Sequence, residues 1–152
     1  MYIKGQVVEF KTQIAHSVKG IGSEVWDRLS QGSPFSGYSW YEYGERCMAG
    51  SLPVYIVLFQ GDQAVARATF WLTGDEPMPI ASAPVRRLVK GYLRRRPMLI
   101  CRSPFSSSSG LVLPDPPLRE KALQQISILA MGELRFHHGS FLAFDFLGGE
   151  EV

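Results

Sequence analysis

The densest run of hydrogen-bonding side chains in the chain is Ser103-Pro104-Phe105-Ser106-Ser107-Ser108-Ser109-Gly110. Hydroxyls and backbone amides in such a run can cradle a phosphate or a carboxylate. Ser106, Ser107, Ser108, Ser109 and Gly110 are therefore the candidate anion- or cofactor-binding residues, although a Ser/Gly cluster is equally an ordinary solvated turn. The second constellation is basic: Arg86, Arg87, Lys90, Arg94, Arg95 and Arg96, with Tyr92 among them. Arg86 and Arg87 could meet a nucleotide phosphate, and the cluster could meet nucleic acid or an anionic membrane surface. A solvated helix face before Pro97 is the favoured reading, so nucleic acid and membrane are not expected partners.

Carboxylates offer weaker candidates. Asp145 lies between Phe144 and Phe146, so alternation along a strand points it away from both, toward solvent or the wall of a site. Glu42 and Glu45 could steer an amine, but solvated helix carboxylates are commoner. His137 and His138 could serve as metal ligands or as a base. Neighbouring residues on a helix point apart, and no Cys/His spacing matches zinc. We expect them to be histidines favoured by the negative end of a helix, with no metal. His16 is isolated and receives no role. Cys47 and Cys101 lack a neighbouring dyad and read as structural thiols.

These residues must be held by elements legible from spacing. Leu118, Ala122, Ile126 and Leu129 form one apolar stripe, widened by Leu123, Ala130 and Leu134, which predicts a helix from Leu118 to His137. Asp115 is its expected cap and Pro116 its first residue, with Gly139 as the left-handed residue after it. Gly132 costs it on the order of 1 kcal/mol. Met98–Cys101 before this helix and Phe141–Leu147 after it read as strands, giving a βαβ-like unit. The run Val54–Phe59 predicts a strand buried on both faces, Gly61-Asp62 a turn, and Ala64–Thr73 the return strand. Upstream lie a first strand at Gln6–Phe10 and a short helix at Glu24–Leu29 capped by Ser23. An aromatic helix, Tyr38–Arg46, follows them. Trp26, Phe35 and Trp40 are expected in the core. Val85–Leu93 would be a short basic helix with Leu88, Val89, Tyr92 and Leu93 inward.

With 152 residues, the chain suits one α/β (α+β) domain that buries roughly 70% of its unfolded surface. We expect a mixed, mostly antiparallel central sheet flanked by helices. No run approaches the ~20 apolar residues of a membrane span. Met1–Phe10 alternates apolar and polar residues rather than resembling a signal peptide. Asn is absent, so there is no glycosylation sequon. Reduced cysteines and a cytoplasmic location are expected. The net charge of +2 singles out no partner.

Trp26-Asp27-Arg28-Leu29, then Ser33-Pro34-Phe35, then Trp40, followed by a tight strand pair, resemble the GNAT-fold acyltransferases. The likeness is strongest to the first domain of the FemAB-like branch, in which two such domains occur in tandem. It extends from roughly Val7 to Leu147. It implies transfer of an acyl group from acetyl-CoA, another acyl-CoA or an aminoacyl donor to an amine, by direct attack and with no covalently bound cofactor. The family's Arg/Gln-x-x-Gly-x-Gly/Ala donor signature is not reproduced, since Phe105–Gly110 has one glycine and Pro116-Pro117 remove amides near the helix start. The chain also ends soon after Phe141–Leu147, where family members continue. A non-catalytic binding or assembly module derived from such a domain is therefore the alternative. A hydrophobic last strand with nothing following to cover it predicts a homodimer through Phe141–Leu147. The competing possibility is that this strand lies inside the sheet of a monomer.

Overall fold

The computed structural model describes residues 9–30 and 32–145. Within them, the most apolar segment forms the middle of the sheet. Strand β2 (Leu52–Gln60) is buried from Pro53 to Leu58, and pairs antiparallel on one side with β1 (Lys11–Ala15) and on the other with β3 (Gln63–Thr73). The β2–β3 turn places Gly61 at φ 61°, a left-handed conformation that glycine takes without a Cβ clash. Strand β4 (Met98–Cys101) joins β3 antiparallel. Strand β6 (Phe141–Phe144) then lies parallel to β4, the one parallel step in the order β1-β2-β3-β4-β6. Between them the chain forms the short β5 (Leu111–Val112), which pairs with β3, and helix α4 (Arg119–Phe136). The expected βαβ unit and mostly antiparallel mixed sheet are thus both present.

Alternation along β2 and β3 gives the sheet two cores. Val54, Ile56, Leu58, Phe70 and Leu72 face α4, whose Ala122, Ile126, Ala130 and Leu134 are buried against them. The four helix residues are spaced by four, which carries one continuous line through the apolar stripe. Gly132 points outward, with no atom near the place of a Cβ. On the opposite face Tyr55, Val57 and Trp71 meet Trp26 and Tyr41. These two come from α1 (Ser23–Ser30) and α2 (Tyr38–Cys47).

Several local expectations are corrected. The first strand is Lys11–Ala15, not Gln6–Phe10; Gln6 to Val8 lie outside the described residues, and Glu9 and Phe10 are not in the strand. Helix α4 begins at Arg119, because the Asp115 carbonyl accepts from Leu118 N in a turn that comes first. Leu118, without a side-chain bond, is the cap in place of Asp115, and Pro116 precedes the helix. The left-handed residue after α4 is His138 (φ 54°), not Gly139. Gly139 is needed for closeness: a Cβ there would stand 2.2 Å from Leu134 Cδ1 and 2.9 Å from Pro97 O. Phe35 is 43% exposed rather than core, while Trp26 is fully buried and Trp40 half-buried. In the basic helix, α3 (Ala83–Arg95), only Leu93 is buried and Val89 half-buried; Leu88 and Tyr92 are exposed. A helix held along one edge buries a narrower stripe than its periodicity suggests. Strand β6 is the outer strand of the described sheet, so the mid-sheet alternative does not hold among the described residues.

Candidate functional site

The parallel pair β4–β6 delivers two chain ends to the same place. Beyond Cys101 the chain continues as Arg102, and beyond Phe144 as Asp145, whose N–H donates to Cys101 O at 3.0 Å. Arg102 donates through both terminal nitrogens to the two carboxylate oxygens of Glu76, and Nη1 also reaches Asp145 Oδ2 at 3.5 Å. A guanidinium held in this two-pronged way presents a fixed, planar charge. Its side chain is only 21% exposed, so it is anchored in the wall rather than waving in solvent.

Glu76 and Arg102 border a cavity of about 560 Å³, lined also by Thr73, Phe105, Ser106 and Ser107. The Ser-rich loop divides here. Ser106 and Ser107 face this cavity, whereas Ser108 and Ser109 line a second one of about 580 Å³ with Ser30, Ser33, Phe35 and Arg119. Gly110 enters neither. It passes so close to β3 that a Cβ would lie 2.6 Å from Thr69 O. Its carbonyl accepts from Thr69 N and from Thr69 Oγ1. Arg86 opens onto a third, smaller space of about 350 Å³ that shares Asp75, Glu76 and Pro77 with the first. Arg87 is exposed on α3 and touches none of these cavities.

The loop's own bonds limit what it can hold. Ser103 N donates to Ser108 O, Ser108 N to Ser106 Oγ and Leu111 N to Ser109 Oγ. Amides already engaged in this way are not free to wrap a pyrophosphate. The N-terminus of α4 is also displaced from the loop by β5 and Pro114–Pro117. Ser103 Oγ donates to Phe35 O and Trp40 Nε1 to Pro104 O. These bonds fasten the loop to the Ser33-Pro34-Phe35 turn and to α2, an attachment that spacing alone did not reveal.

The remaining candidates separate. Glu42 pairs with Lys19 and Arg46 on the surface, away from the cavity. Glu45 accepts from Ser17 Oγ and Val18 N, fixing the turn after β1. Asp75 pairs with Lys90 at 2.7 Å, and this bond holds its carboxyl below the usual range. Burial pushes the Tyr41 and Tyr55 hydroxyls up, so both remain neutral at physiological pH. Cys47 is exposed and Cys101 buried, and neither forms a disulfide.

Two groupings were not visible in sequence. Arg67, fully buried on β3, stacks its guanidinium 4.2 Å over Trp26 and donates to Ser30 and Ser36. His16, Glu133 and His137 come together where β1 and α4 end. Only the interval of four between Glu133 and His137 hinted at that cluster.

No family model matches the chain, and neither a curated protein nor a solved structure matches it significantly. Among the described residues no helix is long and apolar enough to cross a membrane.

Proposed function

We propose that the chain is a GNAT-like, FemAB-like N-acyltransferase domain whose acceptor amine enters the Glu76–Arg102 cavity. The observation that carries this reading is the convergence of Arg102, Glu76, Asp145, Ser106 and Ser107 at the end of the one parallel strand pair. Ligands of α/β sheets collect beyond the carboxyl ends of parallel strands. Glu76 and Asp145 share Arg102 while Asp75 pairs with Lys90, which leaves one carboxylate in excess and favours an ammonium-bearing acceptor. Arg102 is placed to meet a carboxylate or phosphate on the same small-molecule acceptor. Ser106 and Ser107 supply hydroxyl bonds at the rim. Catalysis of this kind needs positioning of the amine against the thioester carbonyl rather than a covalent enzyme intermediate. Acetyl-CoA or another acyl-CoA is the co-substrate of this proposal, with Arg86 and Lys90 the basic residues of the adjoining space.

A second reading, a non-catalytic binding module, is favoured by one specific observation: the amides of Ser103, Ser108 and Leu111 in and beside the loop are bonded within it. Calorimetric titration with acetyl-CoA separates the two. Micromolar binding that weakens in Arg86→Ala supports the transferase, and no binding at millimolar concentration supports the module. Association belongs to the proposal too. Strand β6 leaves Phe141 51% exposed on an open sheet edge, which favours a two-fold pairing of β6 edges. Phe146 and Leu147, part of the expected interface, lie outside the described residues. A cytoplasmic setting, with both cysteines reduced, completes this reading.

A further inference from the structure

The second histidine-bearing cluster lies away from that cavity and is independent of the acyltransferase reading. His16 follows β1, while Glu133 and His137 stand one turn apart at the end of α4, on one face of the helix. Glu133 Oε2 is 3.7 Å from His16 Nε2 and 3.7 Å from His137 Nε2. The three side chains each offer one ligand atom, all within 4.8 Å of one another. Glu133 Oε2 and His137 Nε2 are both shielded from solvent, and neither has a hydrogen-bond partner. Buried polar atoms are rarely left so, and each such case calls for an explanation.

The geometry is unlike a plain ion pair. An imidazolium bonding this carboxylate would bring N to within about 3 Å of O. Here both rings stand off equally from one oxygen, around a shared point. The His16 tautomer is determined by its other nitrogen. Nδ1 lies 3.1 Å from Pro53 O, and a carbonyl can only accept, so Nδ1 carries the proton. In the neutral ring, Nε2 then carries the lone pair on the side facing Glu133. Metal-bound histidines are oriented in this manner by a backbone carbonyl behind them. In a tetrahedral zinc site the ligand atoms lie about 2.0–2.2 Å from the ion, and hence about 3.4 Å from each other. Two separations of 3.7 Å reach that value with movements of a few tenths of an ångström.

We propose that His16, Glu133 and His137 form a divalent transition-metal site suited to Zn²⁺. Two neutral imidazole nitrogens and one carboxylate oxygen match the ligand preference of zinc, and three protein ligands leave a fourth position for water. His16, with a side chain 45% exposed, opens that position to solvent. The ion would pin the end of β1 to the end of α4, where the His16 and His137 rings meet edge to face. His138 points elsewhere and takes no part.

The test is metal binding by the full chain after chelator treatment, titrated with Zn²⁺ by calorimetry and with Co²⁺ by visible spectroscopy. One equivalent should bind at micromolar affinity or tighter, with a tetrahedral Co²⁺ spectrum and a raised melting temperature. Glu133→Gln and His137→Ala should each weaken binding by at least about tenfold, whereas His138→Ala and Cys47→Ser should leave it unchanged. Should a variant fail to fold, Co²⁺ added to the native protein should still broaden the His16 and His137 ring resonances ahead of those of His138. Absence of saturable binding, or unchanged binding by the folded Glu133→Gln, His137→Ala double variant, overturns the proposal. Equal broadening of all three histidines does the same.

Discussion

Arg67 gives the sharpest test of how this core is held. Among the described residues no carboxylate pairs with the buried Arg67 guanidinium; Asp27 acts on it only through space, and burial lowers its pKa. The compensation is neutral: Trp26 and Tyr41 rings at 4.2 and 5.5 Å, Ser30 Oγ and Ser36 O each at 3.2 Å. Ser36 O has other donors, accepting also from Trp26 Nε1 at 2.9 Å and from Ser30 Oγ at 2.6 Å. Removing the charge while keeping the volume therefore takes a donor from the Ser30 and Ser36 hydroxyls, and Ser30 Oγ keeps its own donations to Trp26 O and Ser36 O. Loss of stacking costs about 2 kcal/mol, and relief from burying an unneutralised ion returns a similar or larger amount. Arg67→Met should thus lie within about 1 kcal/mol of wild type, or be more stable. Arg67→Ala opens a cavity beneath Trp26 and should cost about 3 kcal/mol, roughly 6–12 °C in melting temperature at this chain length. Urea unfolding followed by tryptophan fluorescence reads both. If Arg67→Met costs as much as Arg67→Ala, the charge itself is holding α1 and the Ser36 turn on the sheet, and the argument fails.

Other consequences can be checked directly. Ile126→Ala, in the line of α4 residues facing the sheet, should cost about 2–5 kcal/mol in chemical denaturation. Gly139→Ala drives a methyl into Leu134 and Pro97 O and should cost about 1–3 kcal/mol, whereas Gly132→Ala, with open space, should be neutral to stabilising. The Asp75 carboxyl is depressed by Lys90, so the contribution of that contact is present above the ordinary aspartate range and is lost as pH falls through the depressed value. NMR titration should show the Asp75 pKa rising toward the ordinary aspartate range in Lys90→Ala. Sedimentation equilibrium at micromolar protein should show a dimer that Phe144→Lys dissociates or unfolds. A mass that stays monomeric at every concentration removes the β6-edge interface.

Much of the architecture was legible because it depends on short-range pattern. The run Val54–Phe59 had to be a strand covered on both faces, and the spacing of Ala122, Ile126, Ala130 and Leu134 could serve only a helix against a sheet. Boundaries were less so. Whether Asp115 or Leu118 opens α4, or whether His138 or Gly139 turns left-handed, depends on a close approach to Pro97 and Leu134 that no local rule contains. Exposure of Leu88 and Tyr92 likewise depends on how little of α3 meets the sheet. The sites were the least legible. No local pattern marks Arg102, beside the serine loop, or Arg67, in an apolar strand. Each acquires meaning only from partners distant in sequence, Glu76 and Asp145 for one and Trp26 and Ser36 for the other. His16 stands far along the chain from Glu133 and His137. Periodicity decides which face a residue takes, but only the pairing of β1 with β2 and the packing of α4 across the sheet decide which faces meet.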